Sequence, residues 1–228
     1  MTAQIDHLVI AASTLEDGVA WCECTLGITP GPGGKHPLMG THNRLFSIVS
    51  PAYPTAYFEI IAIDKGADSP NNMRVKRWFD LDNEALDTDL KQNGPRLIHF
   101  VASTQYAATS MQALTDMGID RGQLLSASRP TPNGLLSWHI TVRHDGQRLM
   151  QGTLPTLIKW VDVHPTDHMA ASGVTLQSLT ASQPNPDQLR AAYAAIGLQG
   201  VAVVQGQPSL TATLLTPRGL VTLDSRGS

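Results

Sequence analysis

One local pattern occurs three times along the 228-residue sequence. Each copy has an apolar run ending in Ala-Ser, a helix-like run, and a glycine flanked by Leu, Ile or Met. The separation between serine and glycine is 14 residues in the first copy and 15 in the other two. The copies run from Ser13 to Gly27, from Ser103 to Gly118 and from Ser182 to Gly197. Repetition at a nearly fixed spacing indicates supersecondary units that must pack together to bury their apolar faces.

The remaining apolar runs predict strands after each helix, so each unit is expected to be a βαβββ module. The predicted fold class is α+β, with repeated βαβββ modules whose curved mixed sheets enclose a cavity and with a third module-like repeat at the C-terminus. The last strand of the second module is predicted within Leu149–Trp160. The predicted organisation is a first module at 1–64, an inserted helical connection at 65–95, a second module at 96–162, a linker at 163–173 and a third module at 174–228.

Composition excludes several classes of protein. Hydrophobic residues make up 42% of the chain and charged residues 15%, which is typical of a globular protein with a real core. The net charge of −3 gives no electrostatic reason to expect a nucleic acid or a membrane surface as partner. The N-terminal segment lacks the basic start of a secretory signal, and two cysteines so close together fit a reducing compartment. The expected location is therefore the cytoplasm.

Three polar residues interrupt apolar strands and form the main candidate site. His7 and Glu59 lie in the first module, and His99 lies in the first strand of the second. A buried carboxylate is costly unless it is paired, hydrogen-bonded or bound to metal. Two histidines and one carboxylate form the open facial arrangement typical of non-haem iron, and they also suit Mn, Co, Ni or Zn. The alternatives are hydrogen-bonded structural histidines and, for Glu59, a salt bridge to Arg44 or Arg96.

Further candidates lie in loops and in the second module. His36, His42 and Asn43 flank a glycine-rich turn, where they could line a cavity, and His42 could act as a general base. Asn43 could instead bond only to the backbone of the turn. Arg129 could hold a substrate carboxylate or could be an exposed turn residue, and Trp138 is a candidate cavity residue.

Two further histidines fall in the predicted linker. His164 and His168 have the i, i+4 spacing of a helical metal site, but Pro165 and the loop composition argue against a helix there. Both are therefore predicted to be surface residues.

The sequence resembles the vicinal oxygen chelate superfamily, and in particular its glyoxalase-like branch. The matching strings are IDHLVIAAS with the following LGI, then GGKHPLMGTHNRL, YFEIIAI, RLIHFVAS and TPRGLVTLDS, which together span residues 5 to about 225. This superfamily includes glyoxalase I, extradiol dioxygenases and bleomycin-resistance proteins, and the resemblance implies paired modules with a divalent metal on their inner face. It also implies that His7, Glu59 and His99 are the metal ligands. The last strand departs from glyoxalase I, because Thr222 and Asp224 stand where that enzyme has a glutamate.

These observations leave three functions in competition. The first is a divalent-metal enzyme, a lyase, isomerase or dioxygenase, acting on a small substrate with adjacent oxygens. In it Glu59 and His42 are catalytic, and His36, Asn43, Arg129 and Trp138 bind the substrate. The second is a metal-free protein that sequesters a hydrophobic ligand. The third is an assembly domain that uses its extra module, for example to form a homodimer.

Overall fold

The computed structural model describes residues 1–67 and 76–226 and contains three consecutive βαβββ modules. The elements of the first module are β1 (Gln4–Ala11), α1 (Leu15–Leu26), β2 (Lys35–His36), β3 (Thr41–Ser47) and β4 (Tyr57–Ile63). The insertion holds a 3-10 helix, Trp78–Asp80, and α2 (Glu84–Asn93). The second module comprises β5 (Arg96–Ser103), α3 (Ala107–Asp116), β6 (Gln123–Thr131), β7 (Gly134–Val142) and β8 (Thr156–Trp160). The third comprises β9 (Thr175–Gln183), α4 (Pro186–Ile196), β10 (Val201–Gln205), β11 (Ser209–Thr216) and β12 (Gly219–Asp224).

The three helix-ending glycines explain the repeat that is visible in the sequence. Gly27, Gly118 and Gly197 have φ angles of 76°, 76° and 66°, in the left-handed region that favours glycine. Two details differ from prediction. Residues Leu149–Gly152 form a 3-10 helix, so β8 begins only at Thr156. In the insertion, the string MRVKRWFDLDNEAL predicts one short amphipathic helix over 73–86, but α2 begins at Glu84 and residues 73–75 lie outside the described part of the chain.

The first two modules form one curved eight-stranded sheet with the order β2-β3-β4-β1-β5-β8-β7-β6. They join through their first strands, because β1 pairs antiparallel with β5 at the centre of the sheet. Within each module the first and last strands are parallel, as β1 pairs with β4 and β5 with β8. The expected α+β fold of paired modules with a third repeat is confirmed. The residue limits given for each domain stay a prediction.

Each face of the eight-stranded sheet is covered by a different part of the chain. One face, which we call the outer face, packs against α1, α3 and the third module in a single apolar cluster. The third module has its own sheet, β10-β9-β11-β12, and its Tyr193 donates a hydrogen bond to the backbone oxygen of Thr153 (2.5 Å). The opposite, inner face packs against Trp78, Phe79 and Leu90 of the insertion. The insertion therefore closes the concave side, where a site is expected.

No helix in residues 1–67 and 76–226 is long and apolar enough to cross a membrane.

Candidate functional site

An irregularity in β1 turns two adjacent polar residues towards the inner face. Neighbouring residues of a regular strand point to opposite faces, but the pairing of β1 with β5 shifts register between Ile5 and His7. Such a bulge lets consecutive side chains share one face. As a result Asp6 and His7 lie side by side, with 0% and 4% of their surface exposed.

The Asp6 carboxylate accepts hydrogen bonds from three side chains. The donors are His7 through Nδ1 (2.6 Å), Trp160 through Nε1 (2.8 Å) and His164 through Nε2 (3.0 Å). Burial alone would raise the pKa of Asp6, but the bonds from His164 and His7 outweigh it and hold the pKa below its ordinary value. The sequence does not single out Asp6, and it predicts that His164 is a surface residue. In the structure His164 is only partly exposed and belongs to this network.

His7 lies between the Asp6 and Glu59 carboxylates. Its Nε2 is 3.4 Å from Glu59 Oε2, and its ring stacks on Tyr57 with 4.5 Å between centroids. Burial opposes the charged form of His7, but the hydrogen bonds to Asp6 and Glu59 prevail and raise its pKa from 6.5 to about 9. His7 is therefore protonated at neutral pH, and Asp6 is ionised.

Glu59 is also ionised, and its side-chain partners, Asn43 and His7, belong to the first module. Asn43 donates to Glu59 Oε1 at 2.6 Å, and neither Arg44 nor Arg96 pairs with Glu59 among the described residues. Burial would raise the pKa of Glu59, but the hydrogen bond and charge of His7 lower it below its ordinary value. The site thus combines a proton donor, His7, with an adjacent proton acceptor, Glu59.

This arrangement predicts a loss of stability at high pH. Because the folded pKa of His7 is raised from 6.5 to about 9, its contribution is complete below pH 6.5 and is lost as the pH rises through 9. At about 1.4 kcal/mol per pH unit, the expected fall in unfolding free energy is on the order of 3 kcal/mol. Urea unfolding at a series of pH values measures it. The His7→Gln variant should flatten the dependence, whereas the control His42→Gln should keep it. A wild-type protein equally stable at pH 6.5 and 9.5 would contradict the assignment.

The His7–Glu59 pair opens into a small inner cavity of about 30 Å³. That volume holds roughly one or two water molecules. Four residues predicted to bind substrate lie there: His36, Asn43, Arg129 and Trp138. Burial lowers the pKa of His36 to about 4, so its imidazole is neutral at physiological pH. The substrate-binding role of these residues stays a prediction.

An outer pocket of about 630 Å³ meets the inner cavity at Leu45, Arg129 and Pro165, which line both. This volume is in the range of small-molecule sites. The outer pocket is mainly apolar, and no Asp or Glu of the described residues lines it. Its ionisable groups are Arg129, His164 and His168. The pocket is therefore suited to an anionic organic molecule.

Arg129 lies at the junction of the two spaces and packs over Gly34. A Cβ atom at Gly34 would overlap the guanidinium, so a larger residue there would displace the Arg129 side chain from this position. Arg129 has no ion pair within residues 1–67 and 76–226, and it is near enough to Tyr57 and Glu59 for their charges to affect its pKa. Its guanidinium is consequently available to a ligand.

Comparison with known proteins assigns the family. A model of the glyoxalase-like domain matches residues 5–197, most of the chain. The chain belongs to the glyoxalase-like domain family. The resemblance to the vicinal oxygen chelate superfamily is thereby confirmed. No curated protein matches this glyoxalase-like protein in sequence.

Three solved structures are similar to this chain at low sequence identity. A hypothetical protein from Staphylococcus aureus is 12% identical, with 97% of this chain and 85% of that chain covered and a TM-score of 0.59. A methylmalonyl-CoA epimerase from Streptomyces coelicolor is 17% identical, with 70% of this chain and 96% of that chain covered and a TM-score of 0.41. The epimerase from Mycobacterium tuberculosis is 13% identical, with 68% and 85% covered and a TM-score of 0.37. The similarity to the Staphylococcus aureus structure indicates a shared fold alone.

The glyoxalase-like protein does not bring the three expected metal ligands together. His99 lies opposite Val9 on the inner face, but its Nδ1 is 2.8 Å from the Gly152 oxygen and its Nε2 accepts the Thr156 N–H at 3.1 Å. Both ring nitrogens are therefore engaged by protein groups. Burial, followed by the charge of Arg121, keeps the pKa of His99 well below its ordinary value.

The donor set consequently does not fit the expected three-ligand centre. No three His, Cys, Asp or Glu side chains of the described residues are arranged to hold a metal ion. His42 alternates with Asn43 along β3 and lines neither the inner cavity nor the outer pocket, contrary to its expected catalytic position. Asp224 lies in the third module's sheet, where it pairs with Arg226. The donor side chains that do lie together on the inner face are those of Asp6, His7, His36, Asn43 and Glu59.

Proposed function

We propose that this glyoxalase-like protein is an enzyme of the lyase or isomerase type that moves a proton on a small carboxylate with two adjacent oxygens. The observation that carries the proposal is the buried Asp6–His7–Glu59 set, in which an acid and a base of opposite charge lie 3.4 Å apart at the inner end of a pocket. Catalytic acids and bases are expected where burial and specific partners shift pKa values.

The proposed step uses the protonation states of the site. Glu59 removes the proton from a carbon next to a carbonyl group, and the electrons of the C–H bond form an enolate. The Nε2–H of His7 donates to the oxygen on which negative charge develops. The contact of 3.4 Å between His7 Nε2 and Glu59 is longer than an ordinary hydrogen bond, so this N–H can donate to a substrate oxygen placed beside it. Asp6 fixes the orientation of the His7 ring through its hydrogen bond to Nδ1. Return of the proton to the other face or to another atom completes an isomerisation.

Arg129 indicates how the substrate is oriented. A carboxylate on Arg129 leaves an adjacent carbonyl to enter the inner cavity, and an apolar body occupies the outer pocket. The inner cavity of about 30 Å³ admits only a small reacting group. Short α-keto acids with an apolar chain meet these requirements.

The test is exchange of carbon-bound protons with solvent. We would incubate the full chain in D₂O with α-ketobutyrate or α-ketoisocaproate and follow loss of the proton signal beside the keto group by NMR. Exchange faster than in protein-free buffer supports the proposal, and Arg129→Met should raise the half-saturating concentration by about 10- to 100-fold. If neither probe binds or exchanges, the proposed substrate class is wrong.

Sequestration of a ligand without turnover is the second candidate. It is supported by Trp78 and Phe79, which pack on the inner face and line a cavity of only about 30 Å³, so there is little room for a reacting group. Under this alternative the same probes should bind, as measured by calorimetry, but should not exchange their protons.

A divalent-metal enzyme, including a dioxygenase, is the competing proposal suggested by the superfamily. Such an enzyme would need a third metal ligand. Either His99 would have to break its bonds to Gly152 and Thr156, or the substrate would have to supply the ligand. We expect that chelation with EDTA followed by addition of Zn, Mn, Fe, Ni or Co leaves the unfolding midpoint within about 1 °C, because the native donors are already paired. Elemental analysis supplies the decisive result. One equivalent of metal that is lost in His7→Gln would favour the metal enzyme.

Location and assembly remain part of the proposal. A cytoplasmic location agrees with Cys22 and Cys24, which are both free thiols. A homodimer would be detected by light scattering of the full chain.

A further inference from the structure

A further pocket lies where the three modules meet, and we call it the junction pocket. It has a volume of about 460 Å³, which is within the range of small-molecule sites. It shares no lining residue with the inner cavity or the outer pocket. Its lining consists of residues 2–5 at β1, 52–54 before β4, 103–105 at the end of β5, and Gly197, Gln199 and Gly200 after α4. Every module therefore supplies part of the wall.

Hydrogen bonds between the modules hold these walls in place. The Thr104 hydroxyl donates to the Thr2 backbone oxygen at 2.8 Å and joins the second module to the first. The Tyr53 hydroxyl donates to the Gly200 backbone oxygen at 2.9 Å and joins the first module to the third. The junction pocket is therefore formed before a ligand enters, so that binding requires little ordering of the protein.

The lining of the junction pocket is polar but uncharged. No Asp, Glu, Lys, Arg or His of the described residues lines it. Its polar side chains are hydroxyl groups and the amides of three glutamines, Gln4, Gln105 and Gln199. An ionic ligand would lose part of its hydration there without meeting a counter-charge, which is unfavourable. The lining consequently favours a neutral ligand.

Several of these polar groups have unused hydrogen-bonding capacity. Within residues 1–67 and 76–226, the side chains of Ser103, Gln105 and Gln199 make no hydrogen bond, and Gln4 bonds only to Thr55. A glutamine amide offers two donor hydrogens and an acceptor oxygen, and a serine hydroxyl can both donate and accept. A ligand with many hydroxyl groups matches such a lining, because each of its hydroxyls also donates and accepts.

We propose that the junction pocket binds a neutral sugar of monosaccharide size. The amides of Gln105 and Gln199 bond to its hydroxyl groups from the second and the third module, and Ile5 and Pro54 offer apolar surface to its C–H groups. A sugar held in this way bridges the two modules and stabilises the packing of the third module on the outer face. This site is separate from the proposed proton-transfer site.

The first test is NMR of the full ¹⁵N-labelled chain titrated with glucose, galactose, mannose and N-acetylglucosamine. Each is taken to about 50 mM, well above the millimolar Kd of a weak site. At least one sugar should cause saturable shifts of the backbone amide signals of residues 2–5, 103–105 and 197–200. The aldonate and amino-sugar analogues of that sugar are charged and should bind at least about 10-fold more weakly. Absence of saturable shifts with all four sugars, or equal binding of a charged analogue, would overturn the proposal.

The second test compares glutamine variants by the same titration. Gln105→Ala and Gln199→Ala should each raise the Kd by about 5- to 10-fold. Both residues are exposed, so neither variant should disturb folding. The control Gln112→Ala removes an exposed amide of α3 that bonds to Asp116 at 2.8 Å, and it should leave the Kd unchanged. A Kd unaffected by either pocket variant contradicts the assignment. The readouts are chemical shift and Kd, so a failure of the proton-transfer function would not affect them.

Discussion

Replacing Glu59 by glutamine is expected to slow proton exchange on the α-keto acid probes by about 10²- to 10⁴-fold, the usual contribution of a positioned acid or base. The amide keeps the shape of the side chain and can still bond to Asn43, but it cannot accept the substrate proton. The loss should appear in the maximal rate, whereas the half-saturating concentration should change little because Arg129 is untouched. NMR exchange kinetics over a range of probe concentrations separate the two quantities.

The matched control for this variant is Glu16→Gln. Glu16 is an exposed residue of α1, distant from the inner face, so its replacement should leave exchange unchanged. Circular dichroism of both variants checks that each is folded. If Glu59→Gln keeps its rate within about threefold of wild type, Glu59 is not the general base.

The second large effect is expected for Asp6→Ala, which should lower the unfolding free energy by about 3–5 kcal/mol. Asp6 is fully buried and accepts from His7, Trp160 and His164. Its removal leaves the charged His7 without its closest partner and the Trp160 N–H without an acceptor. Urea denaturation at neutral pH measures the loss.

Two comparisons separate this effect from the removal of any acidic residue. Asp187→Ala breaks an exposed pair with Arg190 and should cost less than about 1 kcal/mol. In the double variant Asp6→Ala with His7→Gln, the cost should be smaller than the sum of the single costs, because the stranded charge has gone. Additive single effects would show that Asp6 and His7 are not energetically coupled. A loss below about 1 kcal/mol in Asp6→Ala itself would contradict the buried network.

Part of the site was predictable from local sequence, because it consists of polar residues in apolar strands. His7 and Glu59 could be located in this way, and their contact follows from the parallel pairing of β1 with β4. Asp6 was missed because alternation along a regular strand assigns it to the face opposite His7. The bulge that overrides alternation depends on the pairing of β1 with β5, a long-range contact that the sequence of β1 does not define. The adjacent Asp-His pair was the one available signal.

His164 and His99 are two further residues whose contacts could not be predicted from local sequence. His164 is predicted to be a surface residue but joins the site, whereas His99 is predicted to be a metal ligand but is bonded to other protein groups. His164 lies in a proline-containing loop and resembles a surface residue, yet the fold brings it within 3.0 Å of Asp6 across 158 positions of sequence. His99 has the sequence pattern of a metal ligand, but its ring nitrogens bond to Gly152 and Thr156. Both partners lie in the segment Leu149–Trp160, where the sequence predicts a strand but residues Leu149–Gly152 form a 3-10 helix. Long-range contacts of this kind are not encoded in a local window.

The sequence by itself determined the repeated βαβββ units, their helix-ending glycines and the α+β class, because apolar periodicity and glycine conformation are local properties. Only the tertiary structure decided which polar groups meet. It packed the third module on the outer face, closed the inner face with Trp78 and Phe79, and joined Asp6 to His7 and His164. These outcomes depend on strand register and on contacts between distant segments, and they set both the charge of His7 and the space that a substrate can enter.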